Sequence, residues 1–167
     1  MRAANQIRLH FESGGILNHT NLLSTRDGYA ITTDRDRIDV SVVHRYLSEE
    51  SYWAKNIPFD VVERAIRNSL CFAVLHGNDL AGFARVTTDR ATVAYLGDVF
   101  MLPAHRGKGL SKWLLETIST HPDLQGLRRW MLATAYAHAL YAQFGFTPLT
   151  APSRWMEKHD AAVYAKS

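Results

Sequence analysis

Between Met101 and Leu115 the chain runs Met-Leu-Pro-Ala-His-Arg-Gly-Lys-Gly-Leu-Ser-Lys-Trp-Leu-Leu. An apolar run stops at Pro103, a basic and glycine-rich turn follows, and apolar residues then return at helical spacing. A strand, a turn and a helix in that order leave a cluster of backbone N–H groups at a helix N-terminus. The unpaired donors and the helix dipole point the same way, so such a cluster attracts anions, phosphates above all. The remaining sequence decides which phosphate ligand the turn would serve.

With 167 residues the chain suits one domain with a sizeable core. Hydrophobic residues make up 47% and charged residues 21%, a globular rather than a disordered balance. The net charge of +3 fits an anionic cofactor but is too small to argue for nucleic acid. A single cysteine, Cys71, excludes an internal disulfide and suits a reducing cytoplasm. No apolar run reaches the roughly 20 residues of a membrane span, and the N-terminus lacks a signal-peptide core. Location in the cytoplasm, with no membrane and no nucleic-acid partner, is the expectation.

Residues 1–27 read as a partly ordered extension, although Ile7, Leu9 and Phe11 alternate as in a short strand. Residues 28–167 read as the domain. Tyr29–Thr33 is the first expected strand. Ile38, Val42 and Tyr46 mark one helix, and Phe59, Val62 and Ile66 mark a second that Pro58 opens. Leu70–His76, Leu80–Thr88 and Thr92–Leu102 read as an antiparallel meander, with Gly77-Asn78-Asp79 as a tight turn. Leu110, Leu114 and Ile118 belong to a helix packed on the sheet. Arg129–Thr134 should then lie parallel to the long strand, because a helix separates the two. A short helix over Ala135–Phe144 follows, capped at Gly145, and strands at Phe146–Pro148 and Ser153–Lys158 close the chain. The fold class is a mixed, mostly antiparallel sheet flanked by helices.

Spacing excludes two common phosphate loops. A Walker loop needs a glycine five residues before Gly107-Lys108, where Leu102 stands. The dinucleotide fingerprint begins at Gly107 and Gly109 but meets Lys112 at its third glycine. The remaining pattern, Arg106-Gly107-Lys108-Gly109-Leu110-Ser111, resembles the R/Q-x-x-G-x-G/A signature of the GCN5-related N-acetyltransferases, the GNAT family. Ser111 departs from the pattern but is still small. Leu140-Tyr141-Ala142-Gln143-Phe144-Gly145-Phe146 resembles the family's L-Y-x-x-x-G-F stretch. The element order over residues 28–158 is similar too, and Ser51–Phe72 resembles a bacterial subgroup of small members.

The resemblance implies the GNAT fold, with its parallel strand pair splayed apart. It also implies acetyl-CoA as cofactor and direct acetyl transfer to a primary amine in a ternary complex. The main chain of Arg106, Gly107, Lys108, Gly109, Leu110 and Ser111 would cradle the pyrophosphate. Main-chain groups of Phe100 and Met101 would pair with the pantetheine arm, their side chains being core. Thr134, Ala137 and Tyr141 complete the implied cofactor set. Tyr141 aligns with the tyrosine that protonates the leaving sulfur, a role that competes with simple packing. A phenol of pKa about 10 is protonated at neutral pH and can serve a thiolate of pKa about 8.5.

Asp98 is the candidate base, on the long strand among Leu96, Val99 and Phe100, with a structural carboxylate as the alternative. Arg85 is its candidate ion-pair partner, or a clamp for an acidic substrate. Tyr52, Trp53 and Trp155 are candidate walls of the acceptor site. The acceptor would be a small amine, with a protein lysine as a further option and a homodimer left open. A non-catalytic acyl-CoA sensor on the same fold is the competing class. The eight histidines show no metal-ligand spacing, so no metal is expected. Cys71 reads as core rather than nucleophile.

Overall fold

The computed structural model describes residues 21–165. A six-stranded sheet runs in chain order, from β1 (Leu22–Arg26) and β2 (Tyr29–Thr32) through β3 (Leu70–His76), β4 (Asp79–Thr88) and β5 (Val93–Met101) to β6 (Arg129–Met131). Every pair is antiparallel except β5–β6. Helices α1 (Val40–Arg45) and α2 (Phe59–Arg67) cover one face, α3 (Leu110–Ser119) covers the other, and α4 (His138–Ala142) follows β6. A single π-helical turn, Tyr46–Glu50, prolongs α1.

Period-2 patterning explains how the sheet serves two cores. On β3, Phe72 and Val74 join the α3 side, whereas Cys71, Ala73 and Leu75 join the α1/α2 side. The strand is therefore apolar from Leu70 through Leu75, as expected for one buried on both faces. Leu110, Trp113, Leu114, Leu115 and Ile118 form the buried stripe of α3. Asp39 caps α1 by accepting the Val42 N–H at 3.1 Å.

The meander, its Gly77-Asn78 turn, both early helices and α3 lie where the sequence places them. The parallel alignment of β6 with β5 is also as expected. Three expectations need correction. The residues just before the first expected strand, inside the presumed extension, form β1, and Asp27-Gly28 makes the two-residue turn into β2. Both turn residues have positive φ, 50° and 81°, the requirement of a type I′ hairpin. The Ile7–Phe11 alternation lies outside the described residues.

The second correction concerns the two closing strands. Among the described residues no strand follows β6, and Phe146–Pro148 and Ser153–Lys158 are irregular apart from a 3₁₀ turn at Pro152–Arg154. Pro148 and Pro152 remove backbone donors where a ladder would need them. Third, β6 and α4 are shorter than the spacing suggests, which leaves Leu132–Ala137 as an irregular connection.

Candidate active site

The site begins where β5 loses its partner. Pairing with β6 spans Val93↔Arg129, Ala94↔Trp130 and Tyr95↔Met131 and then stops, while β5 runs on to Met101. Over the same stretch β5 carries a bulge against β4. Phe83 faces Phe100 and Arg85 faces Gly97, so Val99 and Asp98 together oppose Ala84. Asp98, the first of the two bulged residues, sits at φ 53°, in the left-handed region. The bulge and the divergence of β6 open a cleft of about 670 Å³ lined by Gly97, Asp98 and Val99 on one side. Thr134, Ala137 and Tyr141 line the other.

Asp98 is held rather than free. Arg85 Nε donates to Oδ2 at 2.6 Å and Trp53 Nε1 donates to Oδ1 at 3.0 Å. Arg85 Nη1 in turn donates to Ser69 Oγ at 3.3 Å and to Thr87 Oγ1 at 3.1 Å. The Asp98–Arg85 pairing matches the expectation from sequence. Tyr52 also lines the cleft, and its hydroxyl accepts the Ala135 N–H at 2.8 Å, bridging the α1–α2 loop to the chain beyond β6.

Tyr141 is the one buried residue of the short helix α4, its ring edge-on to Phe146 with centroids 5.9 Å apart. Its hydroxyl has no hydrogen-bond partner among the described residues. Burial, with a smaller contribution from nearby Tyr52, raises the Tyr141 phenol above its ordinary value of 10.0. The proton is therefore retained throughout the neutral range. Thr134 lines the cleft near it and accepts the Ala137 N–H through Oγ1 at 3.1 Å, fixing the entry to α4.

At the far end of β5 lies the glycine turn. Gly107 and Gly109 adopt φ 74° and 71°, and a Cβ on Gly107 would meet nothing within 4 Å. Gly109 caps α3 without any side-chain cap. The backbone N–H groups from Gly107 through Lys112 find no protein partner among the described residues, so the orphan donors of the helix start face outward. This open, donor-rich cradle fits a pyrophosphate.

The side chains of the turn are occupied by the fold. Arg106 Nε donates to the Met101 carbonyl at 3.0 Å and its Nη2 donates to Tyr46 Oη at 3.2 Å. Lys108 Nζ donates to Tyr29 Oη at 3.0 Å, and Tyr29 Oη lies 2.9 Å from His105 Nδ1. Burial, then the charges of Lys108 and His76, hold His105 below its ordinary value, which favours the neutral imidazole. The Phe100 and Met101 side chains are buried. Phe100 stacks on Tyr46 at 3.9 Å and Met101 packs against Gly82.

One residue at the cradle was missed in the sequence. Arg26, at the end of β1, donates from Nη2 to the Lys108 carbonyl at 3.1 Å. Its guanidinium lies over the Trp113 ring at 5.1 Å and reaches the space beside Gly109. The Asp27-Gly28 pair was the signal that could have found it, since that dipeptide between apolar residues announces a hairpin. Trp155 lies apart from the cleft. It borders a separate groove of about 780 Å³ between α3, β6 and residues 144–155. There the Arg129 guanidinium covers its ring at 4.7 Å.

Among the described residues no group of three or more His, Cys, Asp or Glu is placed to hold a metal, and no helix is long and apolar enough to cross a membrane. Known proteins resemble the whole arrangement. A crystallised protein of Xanthomonas campestris, described as a putative acetyltransferase belonging to the GNAT family, is 48% identical, covers 84% of this chain and 99% of its own, and superposes with a TM-score of 0.82. The "Putative acetyltransferase FG08082" of Gibberella zeae is 33% identical over 132 residues, which is 66% of this chain and 73% of that protein. A predicted acetyltransferase of Clostridium acetobutylicum, crystallised with acetyl-CoA, shares the fold at 17% identity and a TM-score of 0.59, over 78% of this chain and 94% of its own. A sequence model of the acetyltransferase (GNAT) family matches residues 40–146. With its splayed β5–β6 pair and its open glycine cradle, the chain belongs to the GNAT family of acetyltransferases, enzymes that use a coenzyme A thioester.

Proposed function

We propose that the chain transfers the acetyl group of acetyl-CoA directly to a primary amine, with both substrates bound in one cleft. One observation carries the reading. A single strand edge links the N–H cradle after Met101 to the Tyr141 pocket beside Gly97. Four residues of strand span about 13 Å, so the two ends are separated by the length of an extended arm.

The bound thioester supplies the acyl group, and the chain supplies everything else. The N–H groups of Gly107 through Ser111 hold the pyrophosphate, and Arg26 adds positive charge beside Gly109. Lys108 and Arg106 fix the shape of the turn through Tyr29, Tyr46 and the Met101 carbonyl. The unpaired edge of β5 near Phe100 and Met101 orients the arm by main-chain bonding. Tyr141 holds a proton at Oη for the departing sulfur. Among the described residues Asp98 is the only carboxylate lining the cleft. Each of its oxygens accepts one hydrogen bond, and a carboxylate has about four lone-pair sites. A water or the amine itself therefore still has access, and Asp98 takes the amine proton.

Removal of one hydroxyl tests the assignment. Tyr141→Phe is expected to lower kcat by about 10²–10³-fold, the range of a general acid, while leaving acetyl-CoA affinity within twofold. Stopped-turnover assays of thiol release, with calorimetric binding of acetyl-CoA beside them, separate the two. A loss confined to affinity would make Tyr141 a positioning residue only.

A further inference from the structure

Exposed large apolar side chains are spread over many proteins singly. In this chain they converge. Tyr52 (57% exposed), Trp53 (41%), Tyr95 (42%) and Tyr136 (87%) all line the one cleft that holds Asp98 and Tyr141. Tyr52 meets Trp53 edge-on at 5.0 Å and Tyr136 edge-on at 5.5 Å, so these three rings form a continuous wall, and Tyr95 adds a fourth ring to the lining. Ala54, Ile57 and Ala65 add further apolar lining.

The charges of the cleft cancel. Among the described residues its only ionised side chains are Arg85 and Asp98, and they pair with each other at 2.6 Å. Arg85 is further tied to Ser69 and Thr87, and Asp98 to Trp53. A phosphate or carboxylate on the acceptor would find no unpaired cation, and a second ammonium would find no unpaired carboxylate. Burying either without a partner is strongly disfavoured. An uncharged ring or alkyl body, by contrast, gains contact with the tyrosine and tryptophan faces.

We propose that the acceptor is a primary amine carried on an uncharged, preferably aromatic, body, because the Tyr52–Trp53–Tyr95–Tyr136 wall and the self-compensated Arg85–Asp98 pair leave the cleft apolar and electrically neutral. The inference rests on the acetyl-transfer reading above. Tyr136 is the specificity element most cleanly probed, since it stands at the mouth and contributes little to the core.

The test compares thiol release from acetyl-CoA with 2-phenylethylamine, spermidine, glucosamine 6-phosphate and a lysine-containing peptide. Binding of 2-phenylethylamine to the CoA-loaded protein is measured in parallel by calorimetry. The expected result is a kcat/KM for 2-phenylethylamine at least tenfold above each of the other acceptors. Tyr136→Ala should raise its KM and calorimetric Kd together by about fivefold or more, with kcat nearly unchanged. A polyamine, a sugar phosphate or a lysine peptide used as well as or better than 2-phenylethylamine overturns this inference alone. Bound acetyl-CoA with no turnover of any amine overturns the transfer reading, and this inference with it.

Discussion

At the scale of single residues, proton positions decide what the site can do. The Tyr141 phenol is raised above 10.0 by burial first and by Tyr52 second. A raised acid stays protonated to higher pH than a free phenol, so the donor form persists while the neutral fraction of an acceptor amine of pKa about 10 grows above pH 7. The expected kcat/KM profile therefore rises from pH 7 towards pH 10, with no downturn from Tyr141 in that window, and Tyr141→Phe lowers the curve without moving its midpoint. Initial rates in a constant-ionic-strength buffer series check this, and a falling limb centred below pH 9 would remove Tyr141 as the acid. Cys71 gives the opposite lesson. Burial pushes its thiol up from 9.0 to about 12, against the weaker pull of Arg85 and Arg35. At pH 8 the native thiolate is about 10³-fold scarcer than in the unfolded chain, so a disulfide reagent should label Cys71 slowly in the native state and fast in denaturant. The sign for stability follows. A raised pKa favours the folded state fully below pH 9, and that contribution is lost as pH climbs from 9 towards 12. The inert role was legible from Cys71 heading an apolar run. The ion pair of Asp98 was legible too, but its positive φ and its bond to Trp53 were not, because they come from a bulge and a loop 45 positions away.

Elements were legible in proportion to the strength of their period. The β3–β5 meander and α3 declare themselves through unbroken apolar runs and a clear helical stripe. β1 does not, since Leu22-Leu23-Ser24-Thr25-Arg26 offers little apolar content and its stability comes from pairing with β2. The misplaced closing strands show the converse, in which aromatic residues around Phe146 and Trp155 suggest strands that Pro148 and Pro152 prevent. The consequence of finding β1 is functional. Its Ser24 accepts the Trp113 indole N–H at 3.2 Å, and its Arg26 reaches the Lys108 carbonyl, so the first strand braces the cradle at the start of α3. Arg26→Ala is therefore expected to weaken acetyl-CoA binding by about 3- to 30-fold, the loss of one charge-assisted contact at a partly exposed site. The salt dependence of the affinity should fall as well, since one cation less faces the phosphates. Calorimetric titrations at low and high salt measure both, and an unchanged Kd would confine Arg26 to packing against Trp113.

The whole molecule is one sheet shared by two cores, and that sharing governs how it responds to damage. The α3 face holds Leu114 and the α1/α2 face holds Leu75, both almost wholly buried. Strand β3 contributes alternate residues to each side, so neither core can loosen while the other keeps its backbone in place. The cleft belongs to the same economy of structure: β5 is held by β4 along its length, and only its far edge is released by β6 to face a ligand. Such a site is as stable as the sheet behind it and needs no independent support. Leu114→Ala and Leu75→Ala should each cost about 2–5 kcal/mol, through lost transfer energy and the cavity left behind. Each should also shift a single cooperative urea transition rather than split it. Far-UV circular dichroism reports the sheet and helices, while tryptophan fluorescence reports chiefly the α3 side through the half-buried or buried Trp113 and Trp130. The two probes are expected to trace one curve in both variants. Separate midpoints in Leu114→Ala alone would mean that the α3 face unfolds by itself, and the cleft could then persist on a sheet that had lost one of its cores.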